Sequence, residues 1–334
     1  MNEINNSCRI GSVSLEVPVL LAPMAGVGDV PYRLLAKEMG AGMVCTEMVS
    51  DKGLLYNNVR TFEMLRIEAA EHPVSMQIFG SDPVTMAKAA EQVEKAGADI
   101  VDINMGCPVQ KVVRNKEGSA LMLNIPLAEA IIRETVRAVS VPVTVKMRLG
   151  WDEAHITVLE LAKAAEQAGA AAVAVHGRTR EQFYSGTANW DYIRQVKERV
   201  SIPVIGNGDV TDIDSYERIR KETGCDAVMI GRGAQGNPWV FRELREYILF
   251  GRRIPKPTYE EKIDMILRHL AMLTEYKGEA IAVREMRSHA SWYTKGMPRS
   301  AELRGQFTKA VTANEFAAIF ENYRSRLAMD SVDK

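Results

Sequence analysis

Three side chains with different chemistry follow short apolar runs, each at the point where the run ends. Cys107 lies in a Gly-Cys-Pro turn, where proline prevents helix continuation and holds the thiol on a stiff loop. Lys146 lies between Val145 and Met147, and His176 ends another apolar run. A thiol is mostly protonated at neutral pH and can donate a proton, while a lysine can stabilise negative charge on a bound ring. The three together indicate a catalytic site.

Each of these side chains also has a structural interpretation. A lone cysteine is commonly buried and inert, and a lone histidine is more often a satisfied core residue. A lone lysine is usually solvated or paired with a carboxylate, here Glu47 or Asp102. The four cysteines are far apart, without a Cys-x-x-Cys pair, and no His, Asp and Cys set has ligand spacing. We therefore expect neither a metal nor a disulfide framework.

Two glycine-containing segments favour a phosphorylated cofactor. Residues 206–209 read Gly-Asn-Gly-Asp, and residues 231–236 read Gly-Arg-Gly-Ala-Gln-Gly. Small residues at strand ends expose backbone N–H groups that can bind phosphate. The second segment also matches the dinucleotide fingerprint G-x-G-x-x-G, but no strand pattern follows its helix. We interpret both segments as phosphate loops; the alternative is that the glycines only permit tight turns.

The elements that position these residues repeat one unit eight times between residues 17 and 235. Each unit is an apolar strand followed by an amphipathic helix, as in a (β/α)8 TIM barrel of the α/β class. An open doubly wound sheet is the alternative. The strands are predicted to begin near Val17, Met43, Pro73, Ile100, Val141, Ala172, Ile202 and Ala227. The clearest helices are predicted at Pro83 to Ala96, Pro126 to Val139, Ile156 to Ala168 and Asp214 to Thr223.

The pattern changes after Gly251, where Arg-Arg-Ile-Pro-Lys-Pro reads as a linker and no further strand follows. Capping-box patterns at residues 258–261 and 312–315 precede amphipathic runs. We predict a catalytic barrel over residues 1–248 and a small C-terminal α-helical bundle over residues 255–334.

Charge is distributed unevenly between these two parts. The whole chain has a net charge of -1, but residues 251–334 carry 15 basic and 11 acidic side chains. The basic side chains lie around an aromatic pair, which suits phosphate contacts and base stacking in RNA. The cluster contains Arg284, Arg287, Trp292, Tyr293, Lys295, Arg299, Arg304 and Lys309. The alternative interpretation is a solvated helix face with a core tryptophan.

Composition and the beginning of the chain indicate a cytoplasmic protein. The chain of 334 residues is 46% hydrophobic and 25% charged, which is typical of globular proteins. It has no apolar run of the roughly 18 residues that a membrane span needs, and its first residues lack the basic flank of a secretory signal. Nothing in the sequence implies an obligate protein partner.

The strand-end motifs together closely resemble the FMN-dependent, bacterial type of the tRNA-dihydrouridine synthase family. The most specific are Asn104-x-Gly-Cys107-Pro and His176-Gly-Arg-Thr. The others are Pro23-Met24-Ala25-Gly26-Val27, Gln77-x-x-Gly80, Lys146-x-Arg148-x-Gly150, Asn207-Gly208-Asp209, Gly231-Arg232-Gly233 and Trp292-Tyr293-x-Lys295-Gly296.

The resemblance implies an FMN site in the barrel and a tRNA-binding helical domain. It assigns the flavin ring to Pro23, Met24, Gln77, Lys146 and His176, and the phosphate to Asn207, Gly208, Asp209, Gly231 and Arg232. It assigns the uracil to Asn104, and we expect Arg178, Arg284, Arg287, Trp292 and Lys295 to contact the RNA.

The implied reaction is reduction of the C5–C6 double bond of specific tRNA uridines to 5,6-dihydrouridine, with NADPH or NADH as reductant. Reduced FMN would deliver a hydride from N5 to C6, and Cys107 would protonate C5. Two alternatives remain. One is an FMN-dependent reductase of a free pyrimidine or small enone, similar to dihydroorotate dehydrogenase; the other is an RNA-binding protein with an inactive barrel.

Overall fold

An antiparallel hairpin precedes a parallel sheet in the computed structural model, which describes residues 7–332. The hairpin consists of β1 (Cys8–Ile10) and β2 (Val13–Leu15). The parallel strands are β3 (Val19–Leu21), β4 (Met43–Cys45), β5 (Val49–Ser50), β6 (Val74–Phe79), β7 (Ile100–Met105), β8 (Val143–Met147), β9 (Ala172–His176), β10 (Val204–Asn207) and β11 (Ala227–Ile230). β5 only extends the sheet beside the end of β6, and pairing of β4 with β6 closes the other eight into a barrel.

Helices connect successive strands around the outside of the barrel. They are α1 (Val30–Glu38), α2 (Asp51–Leu55), α3 (Val59–Glu63), α4 (Pro83–Lys95), α5 (Gln110–Val113), α6 (Ile125–Ala138), α7 (Val158–Gln167), α8 (Asp191–Arg199), α9 (Ile213–Thr223) and α10 (Trp239–Phe250). The predicted (β/α)8 barrel is thus confirmed, and each predicted strand start lies within two residues of the observed one.

Local sequence sets the ends of these helices. Asp82 caps the N-terminus of α4, where its side chain accepts a hydrogen bond from the backbone N–H of Thr85. At the other end, Gly97 follows with φ +96°, and Gly224 ends α9 with φ +65°. Glycine tolerates this left-handed conformation, so the chain can turn back towards the next strand.

The described residues after α10 form four helices, in the region where the sequence predicted a small α-helical bundle. They are α11 (Tyr259–Lys277), α12 (Glu279–Tyr293), α13 (Ser300–Phe307) and α14 (Ala313–Val332). The predicted capping box at Thr258 and Glu261 is confirmed. The one predicted at Thr312 is wrong in one half, because the Glu315 carboxylate accepts from the N–H of Val311 instead.

The helical region has a hydrophobic core that continues into the barrel's outer layer. Phe307, Phe316 and Phe320 are fully buried there, and Leu35 of α1 and Trp239 of α10 belong to the same cluster. Residues 251–258 connect α10 to α11 without helix or strand. The domain limits 1–248 and 255–334 remain a prediction. Within residues 7–332, no helix is both long and apolar enough to cross a membrane.

Candidate active site

A cavity of about 820 Å³ lies at the C-terminal ends of the barrel strands. This volume is in the range of ligand pockets, roughly 300–1,000 Å³. The predicted site residues that line it are Pro23, Met24, Gln77, Asn104, Cys107, Lys146, His176, Asn207, Gly208, Asp209, Gly231, Arg232, Trp292 and Lys295. The remaining three, Arg178, Arg284 and Arg287, do not line it.

Strand alternation explains why polar side chains converge at this end. Ala172 and Ala174 of β9 belong to the cluster inside the barrel, so His176 is the next inward residue on that strand. Lys146 pairs in register with Ala174 on one side and with Asn104 on the other. The apolar floor includes Ile10 and Leu15 of the hairpin. The polar layer therefore faces the cavity above an apolar floor.

Cys107 lies on the loop that follows β7 and is half-buried. Its backbone N–H donates to Asn104 Oδ1 at 2.8 Å, and its carbonyl accepts from the Ser119 hydroxyl at 2.9 Å. Gly118 adopts φ +61° beside it, where a Cβ atom would approach the Cys107 carbonyl oxygen to 2.9 Å. Burial raises the pKa of the thiol, so Cys107 remains protonated at neutral pH.

The side-chain amide of Asn104 forms hydrogen bonds with other groups of the protein. The Oδ1 atom also accepts from the Gly106 N–H at 3.1 Å, and Nδ2 donates to Gln77 Oε1 at 2.7 Å and to Met48 Sδ at 3.7 Å. The resemblance assigned this residue to the uracil. In this structure it anchors the Cys107 loop instead, so direct recognition of a base would require part of this network to exchange partners.

Lys146 has no ion pair or hydrogen bond within residues 7–332, so neither Glu47 nor Asp102 is its salt-bridge partner. It projects from β8 and lines the cavity. Burial, and then the nearby charge of Arg148, lower the pKa of its amine to about 8. A buried cation without a direct ion pair suits an electron-rich ligand in this cavity.

His176 is buried and electrically neutral at pH 7. Burial is the main cause of its strongly lowered pKa, and the positive charge of Lys146 adds to it. Arg178 Nη1 lies 3.4 Å from His176 Nε2. Because arginine can only donate, Nε2 is the acceptor and the ring carries its proton on Nδ1.

Arg178 holds a loop in place and does not face the cavity. Its exposed fraction is 2%, and its guanidinium donates to the carbonyls of Ser185 and Gly186 and to Asp209. This buried position differs from the contact with RNA that we expected for Arg178. Its role as a substrate residue stays a prediction without support from the geometry.

The loop between β9 and α8 contributes residues that sequence reasoning did not assign. Phe183 and Tyr184 line the cavity, and the Arg148 guanidinium lies 5.5 Å from the Tyr184 ring centroid. Arg148 also donates to the carbonyls of Gly106, Thr179 and Phe183, so it ties this loop to the Cys107 loop. The only sequence signal was an aromatic pair seven residues after His176.

The two glycine-containing loops present backbone donors to the cavity. In the described part of the chain, no acceptor pairs with the N–H groups of Gly208, Asp209, Arg232 and Gly233. Asp209 has φ +58°, and its carboxylate is balanced by Arg178 at 2.8 Å and Arg232 at 3.2 Å. Unpaired N–H groups beside arginine fit a phosphate.

The helical region supplies part of the cavity wall. From the sequence we expected Trp292 and Lys295 of this region to contact RNA, and both line the same cavity as Cys107. Tyr293 is fully buried instead. The reason is close packing, because Trp292 lies against the Gly236 backbone in the loop after β11.

Arg284 and Arg287, two basic residues of the cluster that do not line the cavity, differ from each other. Arg284 is exposed on α12, whereas Arg287 is half-buried and donates to the Ala310 carbonyl at 2.7 Å. Of these two residues, only Arg284 presents a charge that is free to meet an RNA phosphate.

Two known structures with this fold are distantly similar to the chain in sequence. Histamine dehydrogenase from Rhizobium sp. 4-9 aligns with a TM-score of 0.59 and 14% identity over 81% of this chain and 51% of that chain. Morphinone reductase aligns with a TM-score of 0.52 and 13% identity over 78% of this chain and 94% of that chain. These similarities support the barrel fold alone.

Sequence comparisons are much closer. The family model described as dihydrouridine synthase (Dus) matches residues 20–328. The tRNA-dihydrouridine synthase B of Pseudomonas putida is 44% identical over 326 residues, 96% of each chain. A probable tRNA-dihydrouridine synthase of Rickettsia bellii is 42% identical over 89% of this chain and 91% of its own. The chain therefore belongs to the tRNA-dihydrouridine synthase family.

Proposed function

We propose that this protein reduces the C5–C6 double bond of particular uridines in tRNA to 5,6-dihydrouridine, with FMN in the cavity and NADPH or NADH as reductant. The observation that carries the proposal is a half-buried, protonated thiol in one cavity with an unpaired lysine. The names of the relatives support the product and the tRNA substrate.

The cavity's residues fit FMN at both ends. The N–H groups of Gly208, Asp209, Arg232 and Gly233 have no partner within residues 7–332 and would hold the phosphate. Lys146 would face the pyrimidine portion of the ring. When bound and reduced, FMN supplies the electrons and the hydrogen that add at C6 of uracil.

The protein's own contribution is a placed proton and a cation. Cys107 would hold the proton that C5 receives, and its raised pKa keeps that proton available at neutral pH. Neutral His176 would donate a hydrogen bond without adding charge. The target uridine must leave its stack to reach this depth, at a cost of a few kcal/mol that RNA contacts would offset. We propose that the predicted helical domain, residues 255–334, supplies those contacts.

The test is a reaction with an unmodified tRNA transcript. Purified protein, FMN and NADPH or NADH are incubated with the transcript, and digested nucleosides are examined for uridine that has gained two hydrogens. We expect dihydrouridine in tRNA and none from free uridine. Turnover of free uridine would favour the small-molecule reductase, and a protein that binds no flavin would contradict the proposal.

A further inference from the structure

We propose that Asp102 is a positioning residue that sets the direction of a buried hydrogen-bond chain and thereby holds the Cys107 loop in place. Asp102 is 3% exposed and lies on β7, one inward position below Asn104. The inference deepens the proposed function and rests on it for the role of the thiol. The placement of the thiol can be tested without catalysis.

The chain is continuous from the barrel interior to the loop. Asp102 accepts from the Thr144 hydroxyl at 2.6 Å and from Gln77 Nε2 at 2.7 Å. Gln77 Oε1 then accepts from Asn104 Nδ2 at 2.7 Å. Asn104 Oδ1 in turn accepts from the Cys107 N–H at 2.8 Å. All four side chains below the loop are buried.

The direction of the chain follows from the carboxylate. Burial raises the pKa of Asp102, while the hydrogen bonds from Thr144 and Gln77 and the charge of Lys146 act against that rise and favour the carboxylate. An ionised carboxylate only accepts, whereas the amides of Gln77 and Asn104 can be turned either way. Facing Asp102, Gln77 must present its NH₂ group, so its oxygen faces Asn104. Asn104 must then present its own NH₂ group to Gln77, which leaves its oxygen for the loop N–H groups. Without the carboxylate, neither amide has a fixed orientation.

No direct ion pair holds this buried acid, although the positive charge of Lys146 acts on it and opposes the rise in the pKa of Asp102. Within residues 7–332, Asp102 forms no salt bridge, and its partners are the neutral side chains of Thr144 and Gln77. Burying an unpaired carboxylate is costly, and an asparagine of the same shape would avoid that cost. What asparagine lacks is a group that only accepts.

The experiment measures the alkylation rate of Cys107 by iodoacetamide in the full-length protein without FMN. Cys8, Cys45 and Cys225 are at most 5% exposed, so Cys107 reacts first, and Cys107→Ser identifies its signal. In Asp102→Asn the new side-chain amide can donate to Gln77. The amides of Gln77 and Asn104 can then reverse their orientation, and the Cys107 loop loses the hydrogen bond that anchors it. We expect alkylation about tenfold faster, because a lost anchoring hydrogen bond opens a loop by about that factor.

Thr144→Val is the matched control, because it removes one hydrogen bond from the same carboxylate but leaves it an acceptor. We expect its alkylation rate to stay within about twofold of wild type. If Asp102→Asn does not fold, Gln77→Met breaks the chain at the next link and should give the same acceleration. Equal rates in Thr144→Val and the chain-breaking variant, or no acceleration in that variant, would overturn the inference.

A double substitution tests the direction of the hydrogen-bond chain separately from the stability of the protein. In Asp102→Asn with Gln77→Glu the carboxylate moves to position 77, where it accepts from both neighbouring amides and restores the orientation of Asn104. The alkylation rate should return towards wild type, and failure to do so would contradict the directional role. These outcomes are independent of the tRNA assay, so an inactive enzyme with the expected alkylation rates would refute the proposed function alone.

Discussion

At the scale of single residues, burial shifts the pKa values of two titratable groups of the cavity in opposite directions. It raises the pKa of the Cys107 thiol and lowers the pKa of the Lys146 amine to about 8. Both shifts favour the neutral form. At pH 7 the thiol therefore holds its proton, while the lysine is still mainly charged and sensitive to mild alkali.

The thiol's role predicts a selective loss in Cys107→Ala. Dihydrouridine formation should fall by about 10²- to 10⁴-fold, the usual loss when a general acid is removed. FMN binding and oxidation of NADPH without tRNA should persist, because neither requires the thiol proton. Single-turnover reduction of tRNA and flavin absorbance measure the two parts. Near-normal tRNA turnover in the variant would mean that the Cys107 thiol is not the proton donor.

The lowered pKa of Lys146 predicts that reduced FMN binds more weakly as the pH rises. Below about pH 8 the amine is charged, and above it the free protein loses that charge. Affinity should therefore decrease above this pH by up to about tenfold per pH unit. Titrations between pH 7 and pH 9.5 measure the effect. Lys146→Met should bind weakly throughout this range without the same slope; a wild-type slope in this variant would assign the titration to another group.

At the scale of elements, the loop after β11 and the helix α12 are in contact at Gly236. This residue has φ +63°, and an added Cβ atom would overlap the backbone of Trp292 and Tyr293. Gly236→Ala should lower the free energy of unfolding by about 3 kcal/mol or more, from strain plus overlap.

Gly251→Ala provides the matched control. Gly251 has a nearly identical φ of +67°, but nothing lies within 4 Å of an added Cβ atom. Strain alone should cost about 1–2 kcal/mol there. Urea unfolding measures the loss of unfolding free energy in each variant. Equal losses in Gly236→Ala and Gly251→Ala would mean that α12 can move away from the added Cβ atom without a cost in stability.

Elements with strong local patterns were predictable from the sequence. The apolar strands and the amphipathic helices that follow them located the barrel. Convergence of Cys107, Lys146 and His176 followed, because the ends of parallel barrel strands meet at one face. The hairpin β1–β2 was not predicted, because each of its strands has three residues with a polar residue in the middle and so forms no continuous apolar run like those of β3 and β4.

The position of Trp292 and the hydrogen-bond partners of the Asn104 amide could not be predicted. The first depends on packing between residues far apart in the chain, here against Gly236. The second depends on which amide faces which partner, and spacing carries no information on this. Sequence patterns report the face on which a residue lies, but not its contacts.

At the scale of the whole molecule, two buried histidines lie where the barrel meets the helical region. His269 and His289 are at most 1% exposed, with ring centroids 4.5 Å apart, and Tyr32 of α1 lies beside both. Burial lowers both pKa values, that of His289 to about 4. Lys277, paired with Asp29, adds positive charge nearby.

This pair predicts that the protein loses stability in mild acid. The unfolded chain takes up protons below about pH 6.5, whereas the folded protein does not until about pH 4 for His289. Stability should therefore fall as the pH decreases from 6.5 towards 4, by up to about 1.4 kcal/mol per pH unit for each histidine. Urea unfolding between pH 7 and pH 5 measures the slope. His289→Phe should reduce it, and an unchanged slope would exclude His289 as its source.

The exposed cations of the helical region predict the salt dependence of tRNA binding. Charge reversal at Arg284 and Lys295 should weaken binding and lower the log–log salt slope by about 0.9 per lost phosphate contact on a duplex. Arg287 is left intact because it bonds to Ala310. Reversal at Lys95 and Lys221, in the last turns of α4 and α9 at the opposite end of the barrel, is the control. Equal slopes in both double variants would place the RNA elsewhere.

Because Trp292 and Lys295 form part of the cavity wall, the barrel and the helical region build this pocket together. Exchanging it for the corresponding part of a relative would also reshape the pocket beside Cys107. The choice of RNA and the geometry of the reaction are thus inherited together. A chimera of two family members should then require matching substitutions in the loop around Gly236 before it regains the activity of either parent.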